Sequence, residues 1–223
     1  MRGKAVATKM VERIGVIGDI HAEDAHLKEA LTVLEDRGLE LVLATGDIAD
    51  GAGSLDLCCE LLAARDVIAV SGNHDRWLLS GTARDLPDAT DAASVSERSR
   101  AFLAGLPRMV ELSTPAGLAL LCHGLGPNDM AKVGPDDSGY ALESNDELQS
   151  LIRNGYFRWV INGHSHRRMV RAFPGVTVIN AGTLKRSHAP CFLEIDFASA
   201  KVFVFEFGPD ATVSLPPSVV ALT

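Results

Sequence analysis

Carboxylate, amide and imidazole side chains follow the ends of five short apolar runs in this sequence. The runs cover residues 14–17, 39–44, 67–70, 118–121 and 159–161. In chain order the polar residues that follow them are Asp19, His21, Asp47, Asp50, Asn73, His74, His123, His164 and His166. One histidine after a strand is more often structural than a ligand, but five such endings are hard to explain by packing. Their nitrogen and oxygen donors suit Zn, Fe, Mn or Co, so the pattern predicts a metal site other than a structural zinc site.

The spacing of the apolar runs predicts an α/β fold. Short apolar runs bounded by glycine are typical of buried strands. Residues 22–37 and 55–65 have helical spacing of leucines between the first three runs, and this β-α-β-α-β order indicates parallel strands with helical crossovers. Side chains just past the carboxyl ends of such strands gather in one crevice, where we expect the metal site.

The rest of the chain alternates between regular elements and loops. Capping-box sequences predict helices over residues 94–105 and 144–155, and residues 109–121 predict a β-hairpin. Residues 169–207 indicate antiparallel strands, in a second sheet or as an extension of the first. We expect a loop or short helical cap over residues 76–93, a loop over 124–139 and no regular element after residue 208. His26 is expected at the surface.

The composition is that of a globular protein. With 223 residues, 47% hydrophobic and 22% charged, the chain predicts a single domain over residues 1–223, with a flexible tail at residues 1–10. A net charge of −8 argues against an extended groove for nucleic acid. No apolar stretch reaches the roughly 18 residues of a membrane span, so no membrane association is expected.

The targeting and cysteine patterns indicate a cytoplasmic protein. Residues 1–10 lack the apolar segment of a signal peptide. The four cysteines contain no C-x-x-C pair and are expected to be free thiols, which suits a reducing compartment. The sequence leaves the oligomeric state open.

The polar motifs resemble the five signature blocks of the calcineurin-like metallophosphoesterase superfamily, in the same order. The blocks are Asp19-Ile20-His21, Gly46-Asp47 with Asp50, Gly72-Asn73-His74-Asp75, His123-Gly124 and Gly163-His164-Ser165-His166. The resemblance covers residues 14 to about 185 and is specific for the superfamily rather than for a substrate. It implies a four-layer α-β-β-α sandwich of two mixed sheets flanked by helices, with the metal site at the carboxyl ends of the strands.

The same resemblance implies two divalent ions and a role for each donor. The first metal would take Asp19, His21, Asp47 and His166. Asp47 would bridge to the second metal, which would also take Asn73, His123 and His164. His74 would face the leaving group, and Asp50 would orient it by a hydrogen bond. Mn²⁺ is the expected ion, with Fe, Zn or Co as alternatives.

The implied reaction is hydrolysis of a small phosphoester by a hydroxide that bridges the two metals. Two such metals lower the pKa of a shared water and clamp phosphoryl oxygens. With its two carboxylates and the hydroxide, the site keeps a charge of about +1 and attracts phosphate although the protein is acidic. A cationic His74 would then protonate the leaving oxygen, worth about 10²–10⁴ in rate.

Departures from the family pattern bear on the substrate. The Ser/Thr phosphatase branch has arginine and glutamate where this chain has Gly51 and Asp75. We therefore expect a phosphodiester rather than a monoester. The alternatives are a phosphomonoesterase or nucleotide pyrophosphatase, and an interaction module that has lost turnover; His74 favours a working catalyst. Arg76 or Arg167 could replace the missing arginine. The residues expected near substrate are Arg76, Trp77, Asn128 and Asp129.

Overall fold

The computed structural model of the protein describes residues 4–5, 10–39 and 41–222. Its strands form two six-stranded mixed sheets. In spatial order, the first sheet contains β12 (Ser218–Ala221), β11 (Lys201–Glu206), β10 (Cys191–Asp196), β2 (Arg13–Ile17), β3 (Val42–Ala44) and β4 (Ile68–Ala69). The second sheet contains β1 (Lys4–Ala5), β5 (Met109–Thr114), β6 (Gly117–Cys122), β7 (Trp159–Asn162), β9 (Val176–Asn180) and β8 (Met169–Phe173).

The described residues also form six α-helices. They are α1 (Asp24–Asp36), α2 (Leu55–Ala64), α3 (Asn73–Ser80), α4 (Glu97–Gly105), α5 (Tyr140–Glu143) and α6 (Asp146–Asn154). A 3-10 turn at Ala92–Ser94 precedes α4. None of the described helices is long and apolar enough to cross a membrane.

Three apolar clusters show how the layers stack. Between the sheets, Ile14 and Leu43 of the first sheet pack with Leu121 and Ile161 of the second. On the outer face of the first sheet, α1, α2 and α4 supply buried leucines and cysteines. On the outer face of the second sheet, Leu148 of α6 packs in a separate cluster. The fold is the predicted four-layer α-β-β-α sandwich, stabilised mainly by burial of these apolar faces.

Strand direction explains why the polar residues can meet. Strands β2, β3 and β4 are parallel neighbours, and so are β6 and β7 in the other sheet. In β2, Ile14 and Val16 lie in the cluster between the sheets, while Ile17 lies in the cluster with the helices. A strand buried on both faces has this continuous apolar character. The predicted crossovers and the predicted β5–β6 hairpin are both confirmed.

Several local predictions need correction. Residues after 208 contain β12, which pairs with β11. The side chains of β12 are all exposed, so the sequence has no alternation of buried and exposed residues from which the strand could be predicted. His26 is buried, because its ring packs beside Phe207 and its Nδ1 lies 2.8 Å from the carbonyl oxygen of Leu184. The expected cap is realised as α3, which begins at Asn73 itself. The expected tail over residues 1–10 falls outside the described residues except for β1 and Met10.

Candidate metal centre

The carboxyl ends of strands from both sheets converge at one edge of the sandwich, and the nine predicted site residues lie there. Two glycines allow the backbone to approach the donor carboxylates closely. A Cβ atom at Gly163 would lie 2.0 Å from Asp19 Oδ1, and one at Gly72 would lie 2.2 Å from Asp47 Oδ1. Any larger residue at either position would displace a carboxylate.

Four side chains form a first group of donor atoms within 4.8 Å of one another. They are Asp19, His21, Asp47 and His166. The Nε2 atoms of His21 and His166 are 2.9 Å apart, and Asp19 Oδ2 lies 3.4 Å from His166 Nε2. The first three residues are buried, and His166 is half-buried. This is the donor set that the sequence predicted for the first metal.

A second donor group lies beside the first and shares one carboxylate with it. Asp47, His123 and His164 place one donor atom each within 4.8 Å of the others. Asn73 Oδ1 lies 2.9 Å from His123 Nε2 and 2.9 Å from His164 Nδ1, so the amide oxygen belongs to the same group. Asp47 Oδ2 lies 3.3 Å from His123 Nε2 and 3.9 Å from His21 Nε2. Asp47 is therefore common to both donor groups.

Backbone carbonyls fix the tautomers of two histidines. His21 Nδ1 donates to the carbonyl oxygen of Asp50 at 2.8 Å, and His123 Nδ1 donates to that of Thr45 at 2.8 Å. Because a carbonyl oxygen only accepts, the proton of each neutral ring sits on Nδ1. Nε2 is then the nitrogen that can bind a metal once it carries no proton. This second hydrogen bond is the usual support of a metal-bound histidine.

A second observation, besides the types of the donor residues, fits a divalent ion at this site. Asp19 Oδ2 is buried and has no hydrogen-bond partner among the described residues. Its other oxygen, Oδ1, accepts from the His164 backbone at 3.0 Å and from Thr45 Oγ1 at 3.2 Å. A buried carboxylate oxygen left unpaired is costly, and a cation at this point would satisfy it.

Backbone strain is concentrated at the same edge. Half of the described non-glycine residues with positive φ belong to the candidate site, namely His21, Asp47, Asp50, His164 and His166. Asp47 has φ of 47° and His164 has φ of 65°. Left-handed backbone at non-glycine residues costs free energy and is commonly retained where a side chain must be aimed. The left-handed backbone of these turns thus sets the directions in which the five side chains point.

The charged donor side chains by themselves have a deficit of positive charge. Burial alone would lower the pKa of His123, but the Asp47 and Asp19 carboxylates raise it to about 10. Burial, together with the Asp47 charge, raises the pKa of Asp19 to about 7 against the opposing effect of His123. By contrast, burial and the neighbouring His21 and His188 lower the pKa of His166 to about 3. The proton on His123 therefore supplies positive charge next to the two carboxylates, and a metal ion that bound there would displace this proton.

His74 lies beside the donors and belongs to neither group. Its Nδ1 donates to Asp50 Oδ2 at 2.8 Å, and its ring centroid is 4.8 Å from that of His21 and 4.8 Å from that of Trp77. Burial alone would lower the pKa of His74, but the Asp50 hydrogen bond and the Asp47 charge raise it above its ordinary value. Among the described residues, the hydrogen bond of its side chain is the one that Nδ1 makes to Asp50.

Arg84 and Thr90 hold Asp50, and neither was predicted. Arg84 donates to both carboxylate oxygens of Asp50, at 2.8 and 2.7 Å, and the Thr90 backbone donates to Oδ1 at 2.9 Å. Both residues come from the loop after α3, where no periodic pattern marks them. Position 51 requires glycine for a steric reason, because a Cβ atom there would lie 1.7 Å from the carbonyl oxygen of His21. This backbone path excludes the arginine found at that point in Ser/Thr phosphatases.

The two arginines that the sequence offered as replacements for the missing arginine, Arg76 and Arg167, are both paired with carboxylates. Arg76 donates to both oxygens of Asp129, at 2.7 and 3.0 Å, and Arg167 pairs with the exposed Asp136 at 2.6 Å. The Asn128 amide donates to Glu147. Of the four residues expected near substrate, Trp77 has its ring beside a site residue, His74.

Comparison with known proteins identifies the fold. The calcineurin-like phosphoesterase superfamily domain matches residues 13–198. An uncharacterized protein of Methanocaldococcus jannaschii is 24% identical over 178 residues, which are 77% of this chain and 69% of that protein.

Two solved structures share the architecture. An archaeal phosphodiesterase has a TM-score of 0.58 and 17% identity, over 87% of this chain and 99% of that one. The phosphoesterase YfcE of E. coli has a TM-score of 0.56 and 16% identity, over 95% of this chain and 100% of that one. At these identities the likeness concerns the fold.

Proposed function

The chain belongs to the calcineurin-like phosphoesterase superfamily, and from this premise we propose that it is a dinuclear metal-dependent hydrolase of small phosphodiesters. The observation that carries the proposal is the arrangement of Asp47 and His74. Asp47 is common to two donor groups, while His74 stands beside them and is paired with Asp50 instead. A site that only bound metal would have no use for an oriented imidazole next to its ligands.

The protein's own residues have separable tasks in this reaction. Two divalent ions, when bound, lower the pKa of a water so that it can attack phosphorus, and neutralise the phosphoryl oxygens. Asp47 holds the two donor groups in register, with Asp19, His21 and His166 on one side and Asn73, His123 and His164 on the other. His74, with Nδ1 tied to Asp50, gives the Nε2 proton to the departing oxygen, and the phosphorus–oxygen bond breaks toward it.

Charge pairing favours a diester over a monoester. A phosphomonoester dianion carries one more negative charge than a diester, and enzymes commonly meet it with arginine. Here Arg84 is occupied by Asp50 and Arg76 by Asp129. A diester monoanion needs no such additional cation. A phosphomonoesterase or a nucleotide pyrophosphatase is the alternative within catalysis.

The alternative outside catalysis is an interaction module that has lost turnover. Such a module has no need for an Asp19 oxygen that is buried without a hydrogen bond or for the left-handed backbone at five site residues. Mn²⁺ is our proposed ion, with Fe, Zn or Co as alternatives, since imidazole, carboxylate and amide oxygen donors suit all four. We also propose a cytoplasmic location, which the four buried free thiols support.

An assay panel with metal analysis tests the proposal. Protein purified without chelators and supplied with Mn²⁺ would be assayed on bis(4-nitrophenyl) phosphate, 4-nitrophenyl phosphate and a dinucleoside polyphosphate. We expect about two ions per chain and preferential cleavage of the diester. Preference for the monoester or the anhydride would select those alternatives. Two tightly bound ions without turnover on any substrate would favour the interaction module.

A further inference from the structure

The turn over residues 185–188 is fixed to the metal centre from two directions. The Leu184 backbone donates to the Asp19 carbonyl oxygen at 2.8 Å, and Thr183 Oγ1 donates to the same atom at 2.7 Å. On the other side, the backbone and guanidinium of Arg186 donate to Glu23, a buried carboxylate. The turn closes with a bond from the His188 backbone to the Lys185 carbonyl oxygen at 3.0 Å. The turn is therefore a rigid part of the site's rim.

This anchoring leaves two donor side chains beside the first metal group. The His188 ring centroid lies 4.9 Å from that of His166. Lys185 follows Leu184 directly, and its backbone donates to Thr183 Oγ1 at 3.0 Å, the hydroxyl that is itself bonded to the Asp19 carbonyl oxygen. Arg186, which lies between them in the sequence, is committed to Glu23. Lys185 and His188 thus form what we call the basic rim.

The partner of Lys185 connects the basic rim to His74. Lys185 Nζ lies 3.1 Å from Asp88 Oδ2, and the Asp88 side chain is 51% exposed. Asp88 belongs to the same loop as Arg84 and Thr90, which hold Asp50 and through it His74. The Lys185 ammonium therefore lies on the side of the site where the leaving group departs. Because the Asp88 side of this pair is half exposed to solvent, the pair contributes little, and an incoming anion can replace Asp88.

We propose that the basic rim, Lys185 with His188, binds a second phosphate group carried by the leaving group of the diester. This inference rests on the proposed function and names its substrate class. The ammonium and the imidazole are hydrogen-bond donors suited to an oxyanion. Because the turn is anchored on Asp19 and Glu23, little order must be created on binding. The substrate is then a phosphodiester such as a phosphorylated dinucleotide, and not a bare dialkyl ester.

Three dinucleotides of thymidine test both the phosphate and its side: TpT, 5′-phosphorylated pTpT and 3′-phosphorylated TpTp. The products from TpT tell which oxygen leaves. Release of thymidine 5′-phosphate means that the 3′ oxygen leaves, and pTpT should then be preferred over TpT by about tenfold in kcat/KM. Release of thymidine 3′-phosphate means that the 5′ oxygen leaves, and TpTp should be preferred instead.

The variants isolate the rim from the metal centre. Lys185→Met keeps the side-chain length and should abolish the preference while leaving TpT cleavage and metal content close to wild type. Asp88→Asn removes the competing carboxylate and should increase the preference. Lys132→Met is the matched control, because Lys132 is an exposed lysine on the side of His164 and should leave the preference unchanged.

Binding gives a readout that does not need turnover. Calorimetry on Mn²⁺-loaded His74→Ala protein should show about tenfold tighter binding of the preferred phosphorylated dinucleotide than of TpT, and Lys185→Met should remove that difference. Equal treatment of all three dinucleotides by an enzyme that cleaves bis(4-nitrophenyl) phosphate overturns the inference. So does an equal loss on TpT in Lys185→Met, which would place Lys185 on the reacting phosphoryl. Absence of any diester cleavage would instead count against the proposed function.

Discussion

Two adjoining regions of the site are built in different ways. The ligand floor consists of the seven proposed metal ligands: Asp19, His21, Asp47, Asn73, His123, His164 and His166. Its donors stand at strand ends of both sheets, and all are buried except the half-buried His164 and His166. The leaving-group wall consists of His74, Trp77, Asp50, Arg84 and Thr90. It depends on α3 and one loop for its direction, and the His74 side chain is 19% exposed.

This difference means that the two proposed tasks, metal binding and proton donation, depend on separate parts of the structure. Asp47 and His74 are joined by one hydrogen bond, from the His74 backbone to Asp47 Oδ1 at 2.8 Å. The His74 side chain, however, is positioned through Asp50 and the loop that follows α3. Substitutions in the floor should therefore change metal content, whereas substitutions in the wall should change turnover at constant metal content.

The largest effect is expected from Asp47→Asn. The amide keeps the shape but is neutral and a poor bridge, so both ions should bind more weakly. Replacing a residue that only supports a ligand already costs about 10–100-fold, so activity should fall by more than about 100-fold. Elemental analysis after gel filtration measures the metal content, with Asp136→Asn, at an exposed aspartate, as the matched control. Two tightly bound ions in Asp47→Asn would contradict its place in both donor groups.

Single-metal variants should divide the floor into its halves. His166→Ala removes a donor from the first group only, and His123→Ala removes one from the second group only. Each variant should retain about one ion per chain and lose most of its activity, since the clamp needs both ions. The two variants serve as controls for each other. If either of them lost both ions, the two donor groups would not be independent sites.

His74→Ala should show the other half of the comparison. Metal content should stay at the wild-type value, because both donor groups are complete without His74. On a dinucleotide the loss should approach about 10²–10⁴-fold, since a ribose oxygen departs poorly without a proton. On bis(4-nitrophenyl) phosphate the loss should be small, because nitrophenolate leaves unprotonated. Equal losses on both substrates would mean that His74 positions the phosphate instead of donating a proton.

The residues of the ligand floor could be predicted from local sequence patterns, whereas Arg84 and Thr90 of the leaving-group wall could not. Each floor residue follows an apolar run at short spacing, so a local pattern points to it even before the sheets are paired. Arg84 reaches Asp50 across 34 positions of sequence, and Lys185 pairs with Asp88, nearly a hundred positions earlier. Such contacts depend on loop paths, which propensity and periodicity do not encode. The exposed strand β12 and the buried His26 were missed for the same reason, because tertiary packing decides both.

The smallest effect, and the one that tests the wall's own support, is expected from Arg84→Ala. Burial alone would raise the pKa of Asp50, but hydrogen bonds from His74, Arg84 and Thr90 lower it below its ordinary value. A carboxyl whose pKa is lower in the folded state stabilises the fold above its unfolded pKa of about 3.9, and this contribution is lost as the pH falls through the folded pKa.

Removing Arg84 weakens that contribution. Metal-free Arg84→Ala should therefore be less stable than wild type by about 1–3 kcal/mol at pH 7. This gap should narrow only as the pH falls below the folded pKa of Asp50 in the variant, because that carboxyl then protonates before it does in wild type. Guanidinium unfolding at several pH values measures it, with Arg167→Ala, at an exposed ion pair, as the control that should change stability by less than about 1 kcal/mol. An Asp50 carboxyl that titrated at the same pH in Arg84→Ala and in wild type, as followed by NMR, would mean that Arg84 stabilises the loop by packing and does not act through the Asp50 carboxylate that orients His74.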